Sequence, residues 1–259
     1  MSMKKLFTVT MLMLFGVIVN SQNSVYQLTL TSPGAEEVSG QAVIYINGNP
    51  IEVLAEKEGL VEIDKWLKKG SNTIKIIGDF GGDIKVQVQT RKRTLMNYTI
   101  PQDDLAEGHQ ADFEADIDYK LPIFKKKGEF LEEDKPLEED SIIAKIKVIR
   151  KGLKNTKYEK AINELNKGLS IWGEMTSTFS EAEIKAGEDE MIEIFQKEPP
   201  VLEPIDWGSL VFIWGENTVI VYTENDDNKG TSYLFEFGAN GETMPPLTFA
   251  KIDDEWMVW

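Results

Sequence analysis

Residues 42–77 read AVIYINGNPIEVLAEKEGLVEIDKWLKKGSNTIKII, and this stretch decides the fold class of the first half of the chain. Apolar residues alternate at Val43 and Tyr45, and Asn47-Gly48-Asn49-Pro50 interrupts them as a turn cluster. A short polar segment then holds Asp64, placed to cap a single helical turn, with Trp66 and Leu67 to seat that turn on a sheet. Gly70 and Asn72 supply the next turn, into a strand over Thr73–Ile77. The same alternation extends outward, to Tyr26-Leu28-Leu30 on one side and Ile84-Val86-Val88 on the other, with Pro33-Gly34 and Gly81-Gly82 between runs. Short alternating runs separated by turn clusters predict an antiparallel β sandwich over residues 22–100.

The segments VIYINGNPI and VEIDKWLKKGSNTIKI together resemble the strand, one-turn helix and strand of galactose-binding-like jelly rolls, and the first also resembles PEGA-type surface repeats. The resemblance implies a β module of the kind attached to many glycoside hydrolases. Its residues hold a corner of the fold together, and none is carried over as a sugar contact.

Residues 101–139 form the expected connection, with prolines at 101, 122 and 136 and an acidic run at Glu132-Glu133-Asp134. Within it, residues 112–118 alternate acid and apolar and are expected to form a strand. From residue 140 to 259 the period becomes helical and then returns to strands. Ile142, Ile146, Ile149 and Leu153 share one stripe after an Asp140 cap; Tyr158, Ile162, Leu165 and Leu169 share another after a Thr156–Glu159 capping box. A third box, Ser180–Glu183, opens a helix that stops before Pro199-Pro200. Strands follow at Leu210–Ile213, Thr218–Thr223, Ser232–Phe237, Leu247–Lys251 and Trp256–Trp259. Helices followed by an antiparallel meander predict an α+β domain with helices on one sheet face. The ending PPLTFAKIDDEWMVW resembles the last hairpin of nuclear-transport-factor-two-like or cystatin-like α+β domains, which implies a cone-shaped sheet.

Residues 1–21 run from Lys4-Lys5 through an apolar stretch to Asn20-Ser21, the order of a cleaved export signal. The chain has no cysteine, so disulfides, thiolate metal sites and a lipidated cysteine are excluded. A periplasmic or secreted, soluble, unanchored bacterial protein is the expectation, with no membrane insertion after signal cleavage. The formal charge is −16, and loss of Lys4 and Lys5 takes two positive charges away to leave −18. Such acidity repels phosphate backbones and anionic lipid, so nucleic acid is not an expected partner. Arg91-Lys92-Arg93 and Lys125-Lys126-Lys127 run against the trend and are expected to be solvated turns or strand ends.

The candidates for chemistry are few. His109 is the single histidine, in a polar loop context; a serine triad would have to draw on it, and a multi-histidine metal site lacks a second imidazole. Asn225–Gly230 followed by Glu236 partly matches a calcium loop, but Lys229 stands where an oxygen ligand is required, and a hairpin turn is the better reading. Asp112, Glu114, Asp116 and Asp118 would line one face of a strand, neighbours about 7 Å apart, where two of them could share a Ca²⁺ ion. A salt-bridged or solvated face is the competing reading. Trp214, Tyr233, Phe235, Phe237 and Trp256 form an aromatic set that is either core under the helices or the wall of a partly open pocket, and Trp207, at a loop-to-strand junction, is a candidate surface platform.

With no nucleophile elbow, no metal cluster and no phosphate loop, the expected function is a non-enzymatic binding or interaction module with an extracytoplasmic protein or glycan partner. The alternative is a hydrolase or isomerase using a carboxylate acid/base in a C-terminal cavity.

Overall fold

The computed structural model describes residues 26–32, 40–54, 58–117, 131, 133–176, 180–202, 204–223, 232–237, 242–244 and 246–259. The expected leader, the Lys125–Lys127 cluster and the Asn225–Gly230 turn lie outside them.

The protein is a mixed α+β chain of antiparallel sheets and helices, with five α-helices among the described residues. Its first half contributes β1 (Tyr26–Thr31), β2 (Gly40–Ile46), β3 (Asn49–Leu54), β4 (Glu58–Glu62), β5 (Gly70–Phe80), β6 (Ile84–Thr90), β7 (Thr94–Ile100), a one-turn helix α1 (Gln102–Leu105) and β8 (His109–Ala115). They form two four-stranded sheets of order β4-β1-β6-β7 and β3-β2-β5-β8. The alternation read at Tyr26-Leu28-Leu30 and Ile84-Val86-Val88 becomes inward faces, but in β2 the inward set is Ala42, Ile44 and Ile46, while Val43 and Tyr45 lie half-buried on the other face. Leu28, Leu30, Ile44, Ile46, Ile74, Ile76, Val86 and Val88 are fully buried in one core. The acid-apolar segment pairs as an edge strand, with Asp112 opposite Thr73 and Phe113 opposite Asn72.

The corner over residues 42–77 is built around Asn72, whose side chain is fully buried. Its Oδ1 accepts from the Lys68 amide at 2.8 Å and from Asn47 Nδ2 at 2.9 Å, while its own amide donates to the carbonyls of Lys68 and Gly70. Trp66 and Leu67 seat a 3₁₀ turn at Asp64–Trp66, as the sequence suggests. Asp64 does not cap it: Ile63 is the N-cap residue, and the Asp64 carboxylate accepts instead from the Tyr26 amide at 3.4 Å, where it ties the turn to β1.

The second half contributes α2 (Lys135–Lys154), α3 (Tyr158–Leu165), α4 (Lys167–Thr176), α5 (Glu181–Lys197), β9 (Leu210–Trp214), β10 (Thr218–Thr223), the paired strands β11 (Ser232–Phe237) and β12 (Glu242–Met244), β13 (Leu247–Ile252) and β14 (Glu255–Val258). Three sequence expectations change here. Helix α2 begins five residues before Asp140, with Pro136 in its first turn, because a proline at that position costs no hydrogen bond and presets φ. Thr156 does not open a capping box: it sits at φ 56°, just past α2, where the Lys157 and Thr156 amides donate back to the Gly152 and Leu153 carbonyls at 2.8 and 3.2 Å. The helix expected over 158–169 breaks at Asn166, and Leu169 belongs to α4. The Ser180–Glu183 box forms in full, and its helix ends at Lys197.

The sheet β14-β13-β10-β9 is covered on both faces. On one, Val219, Val221, Phe249, Trp256 and Val258 pack under Ile142, Ile146, Ile149, Ile162 and Phe195 of the helices. On the other, Ala250, Ile252, Met257 and Trp259 join the core of the first half, and Ile220 and Tyr222 meet Val53. All six residues of β10 are therefore buried.

Polar contacts close the same seam. Asn49 Oδ1 accepts from the Asn217 amide at 3.0 Å and the Thr218 hydroxyl at 3.3 Å, Glu216 N donates to Gly48 O at 3.0 Å, and Gln41 Nε2 donates to the Tyr222 hydroxyl at 2.9 Å. Gly215 permits this approach: a Cβ there would lie 2.3 Å from Pro50 Cδ and 2.7 Å from Gly48 O.

Candidate binding surface

Within the described residues, the aromatic set divides by depth. Trp256 is buried, and its Nε1 donates to Glu138 Oε2 at 2.7 Å. The other carboxylate oxygen of Glu138 accepts from Lys251 at 2.5 Å, and Lys251 Nζ lies 5.8 Å from the Trp256 ring. This arrangement clips the first turns of α2 to the sheet.

Trp214 ends β9 with its ring edge-on to Trp256 at 6.2 Å and stacked with Phe212 at 6.5 Å, and both Trp214 and Phe212 keep part of their surface exposed. Trp207 is half-buried in a 3₁₀ turn, Trp207–Ser209, that Asp206 caps by accepting from the Gly208 amide at 3.0 Å. Lys147 of α2 lies 4.8 Å from the Trp207 ring centroid, and Lys135 lies 5.7 Å from that of Trp214. The surface is an aromatic rim at the β9 edge of the sheet, with ammonium groups over the rings. Tyr233, Phe235 and Phe237 alternate along β11, and their side chains lie outside the described residues.

The acidic ladder is placed on the edge strand β8. Asp112, Glu114 and Asp116 are exposed, and Asp118 lies outside the described residues. Asp112 accepts from the Thr73 hydroxyl at 2.7 Å, and the Asp116 amide donates to the Tyr26 hydroxyl at 2.7 Å. Among the described residues no three His, Asp or Glu side chains converge in a way that could hold a metal ion. His109 starts β8, with its ring 5.1 Å from that of Tyr98, and burial pushes the Tyr98 hydroxyl up to about 12.

One cluster carries no motif in the sequence. Glu52 on β3 and Glu62 on β4 each lie close enough to Lys65 of the 3₁₀ turn to influence its ionisation and to be influenced by it. Burial pushes the Glu52 carboxyl up to about 7, with the Val53 amide, which donates to it at 3.0 Å, and Lys65 pulling the other way. Burial draws Lys65 down to about 8, against the attraction of Glu62 and Glu52. Glu62 is raised by burial and by Asp64. The only trace of this in the sequence is an acid inside the apolar run Pro50–Leu54.

A surface cleft of about 740 Å³ opens between α4 and α5, next to Ser170, Glu174, Ser180, Glu183 and Lys185. Polar groups that line it engage one another, Ser180 with Glu183 and Lys185 with Glu188.

No protein-family model, curated protein or solved structure matches this chain. Functional inference therefore rests on the residues themselves.

Proposed function

We propose that this chain is an exported, non-enzymatic binding or protein-interaction module that engages a protein or glycan outside the cytoplasm. In this reading the first unit is the β sandwich expected from sequence, and the second is a cystatin-like or nuclear-transport-factor-two-like assembly whose interior is structural. The observation that carries it is the packing of the C-terminal sheet on both faces. Phe249 and Trp256 fill the space under the helices, and Met257 and Trp259 fill the opposite side. Beside this sheet, among the described residues, Trp207, Phe212 and Trp214 leave part of their rings toward solvent as a rim. Half-exposed aromatic rings beside cations are the composition of recognition surfaces.

The leader pattern at residues 1–21 supports export, and among the described residues no helix is long and apolar enough to cross a membrane. The test is a glycan array and a pull-down from extracytoplasmic fractions, each run with the unaltered chain and with Trp207→Ala. Retention lost in the variant supports the rim as the working surface. Empty results from both assays on folded protein would remove the proposal.

A second reading, acid/base catalysis, is favoured by Glu52 and Lys65, which titrate near neutrality, as groups that exchange protons in catalysis do. Both lie in the first unit, far in sequence from the C-terminal cavity where such chemistry was expected. Turnover that disappears in Glu52→Gln, across a panel of hydrolase and isomerase substrates, would select this reading over binding.

A further inference from the structure

Residues 145–160 carry seven Lys or Arg and a single acid, Glu159, in a chain whose formal charge is −16. The fold turns this stretch into one surface. Lys147, Lys151 and Lys154 stand at i, i+4 and i+7 on the exposed side of α2, opposite the buried Ile142, Ile146 and Ile149. The tight turn at Asn155–Lys157 then doubles the chain back, so that exposed Lys157 and Lys160 follow at the start of α3. Neighbouring Lys145 and Lys167 are neutralised by Glu164 and Glu255. Among the described residues, the five exposed lysines form no ion pair. Lys147 connects the strip to the aromatic rim through its position over Trp207.

We infer that this strip binds a linear anionic polysaccharide, a chain bearing carboxylate, sulfate or phosphate groups, with Trp207 at the end of the track. The inference rests on the binding-module reading and names its partner. Three considerations carry it. The rise of an α-helix spreads Lys147 to Lys154 over about 10 Å, one cation about every 5 Å, a spacing comparable to that of successive sugars in an extended chain. Five exposed ammonium groups that form no ion pair among the described residues, set in an acidic protein, are complementary to a polyanion. The rest of the protein selects the partner's shape. A lipid bilayer or a duplex presents a broad anionic surface, which would bring the acidic remainder within a screening length of about 8 Å, whereas a thin polymer follows the strip and stays clear of it.

The test is retention of the purified full chain on immobilised polygalacturonate and heparin, compared with neutral dextran, at low and physiological salt. The expected result is salt-sensitive retention on the anionic matrices, none on dextran, and about ten-fold weaker binding for Lys147→Glu/Lys151→Glu/Lys154→Glu. A second variant, Lys157→Glu/Lys160→Glu, gives the same direction through a different helix, and Lys69→Glu/Lys85→Glu, exposed on the first unit, leaves retention unchanged. Circular dichroism confirms that each variant is folded. The inference is overturned by absent retention at low salt, by strip variants that bind like the unaltered chain, or by equal binding to phosphatidylglycerol vesicles or duplex DNA. Capture of a neutral glycan or a protein that the lysine variants do not disturb would overturn it while leaving the binding-module reading intact.

Discussion

Two hairpins in this chain turn on paired residues of positive φ, and they are held in opposite ways. Asn47-Gly48, between β2 and β3, has φ of 51° and 78°; Asp253-Asp254, between β13 and β14, has 52° and 64°. Both match the type I′ turn that suits the twist of antiparallel strands, and Asn-Gly is its preferred pair. The first turn is fixed from inside the protein. Asn47 donates to Asn72 Oδ1 and the Trp66 carbonyl at 2.9 Å, and its Oδ1 accepts from the Thr73 amide at 3.1 Å. The second turn is exposed and is held beside its end, where Glu255 bonds Lys145 and Lys167. A turn anchored to buried groups specifies its residues through the partners they must satisfy, while one without such anchors accepts a poorer conformational fit when neighbouring charges hold the strands.

The largest effect should come from breaking the internal anchor. Asn72→Ala leaves the Lys68 amide and the Lys68 and Gly70 carbonyls without their partner in a fully buried corner. A loss of about 3 kcal/mol is expected in denaturant unfolding. A loss no larger than that of an exposed-turn variant would mean that the asparagine network does not hold the first hairpin.

Gly215→Ala tests whether the same hairpin also holds the two halves together. Its Cβ meets the Pro50 ring and the backbone of Gly48 and Asn49, which cannot swing aside as a side-chain end can. About 2 kcal/mol of destabilisation follows, and it should separate the unfolding of the halves into two transitions. A single shifted transition would show that the apolar seam around Tyr222 and Trp259 couples them without the turn.

The pH dependence should oppose the usual pattern for acids. A carboxyl raised to about 7 in the folded state binds its proton more tightly there than in the unfolded chain. The stabilisation is complete below the ordinary carboxyl value of 4.5 and is lost as pH rises through about 7. Lys65, drawn down from 10.5 to about 8, adds a recovery above pH 8 as the folded state sheds that proton first. Stability should therefore dip between those values, and Glu52→Gln should flatten the acid side of the dip. Urea midpoints measured across this range give the answer; an unchanged profile in the variant would assign the dip elsewhere.

The contrast also explains what could be read from sequence. The Asn47-Gly48 turn, the Ser180–Glu183 box and the apolar stripes of α2 and α3 are local patterns, and they form where local chemistry puts them. Thr156 failed as a cap because two helices compete for it: ending α2 requires it in the left-handed region, which removes it from the start of α3. The break at Asn166 is a tertiary effect, since Leu169 and Trp172 of α4 turn to the core shared with the first half while Leu165 stays with the helices. The division of the tryptophans into core and rim is a tertiary effect, since Trp214 and Trp256 share one sheet face, and strand periodicity alone cannot tell the covered ring from the half-exposed one. Glu52 and Lys65 acquire their character first from burial, opposed by the charges that tertiary structure sets beside them, and periodicity reports neither. The lysine strip was present in composition, spread over sixteen residues in which buried isoleucines and leucines separate the cations.

The exposed hairpin offers the smaller tests. Asp254 at φ 64° pays the left-handed penalty that glycine avoids, and Asp254→Gly should stabilise by about 1 kcal/mol in thermal unfolding. No gain would place the strain elsewhere in the loop.

The smallest effect belongs to the charges beside this turn. Hydrogen bonds from Lys145 and then Lys167 hold the Glu255 carboxyl down at about 2. A depressed folded value gives stability that is complete above the ordinary 4.5 and is lost as pH falls toward 2, the reverse of Glu52. The side chain of Glu255 is 45% exposed, so solvent and salt screen most of this, and Glu255→Gln should cost only about 0.5 kcal/mol at neutral pH. The cost should shrink in high salt and vanish in acid, whereas the Asn72→Ala loss, carried by uncharged buried groups, should persist in both. Equal salt sensitivity in the two variants would mean that the internally anchored hairpin and the charge-held one are held by the same kind of force after all.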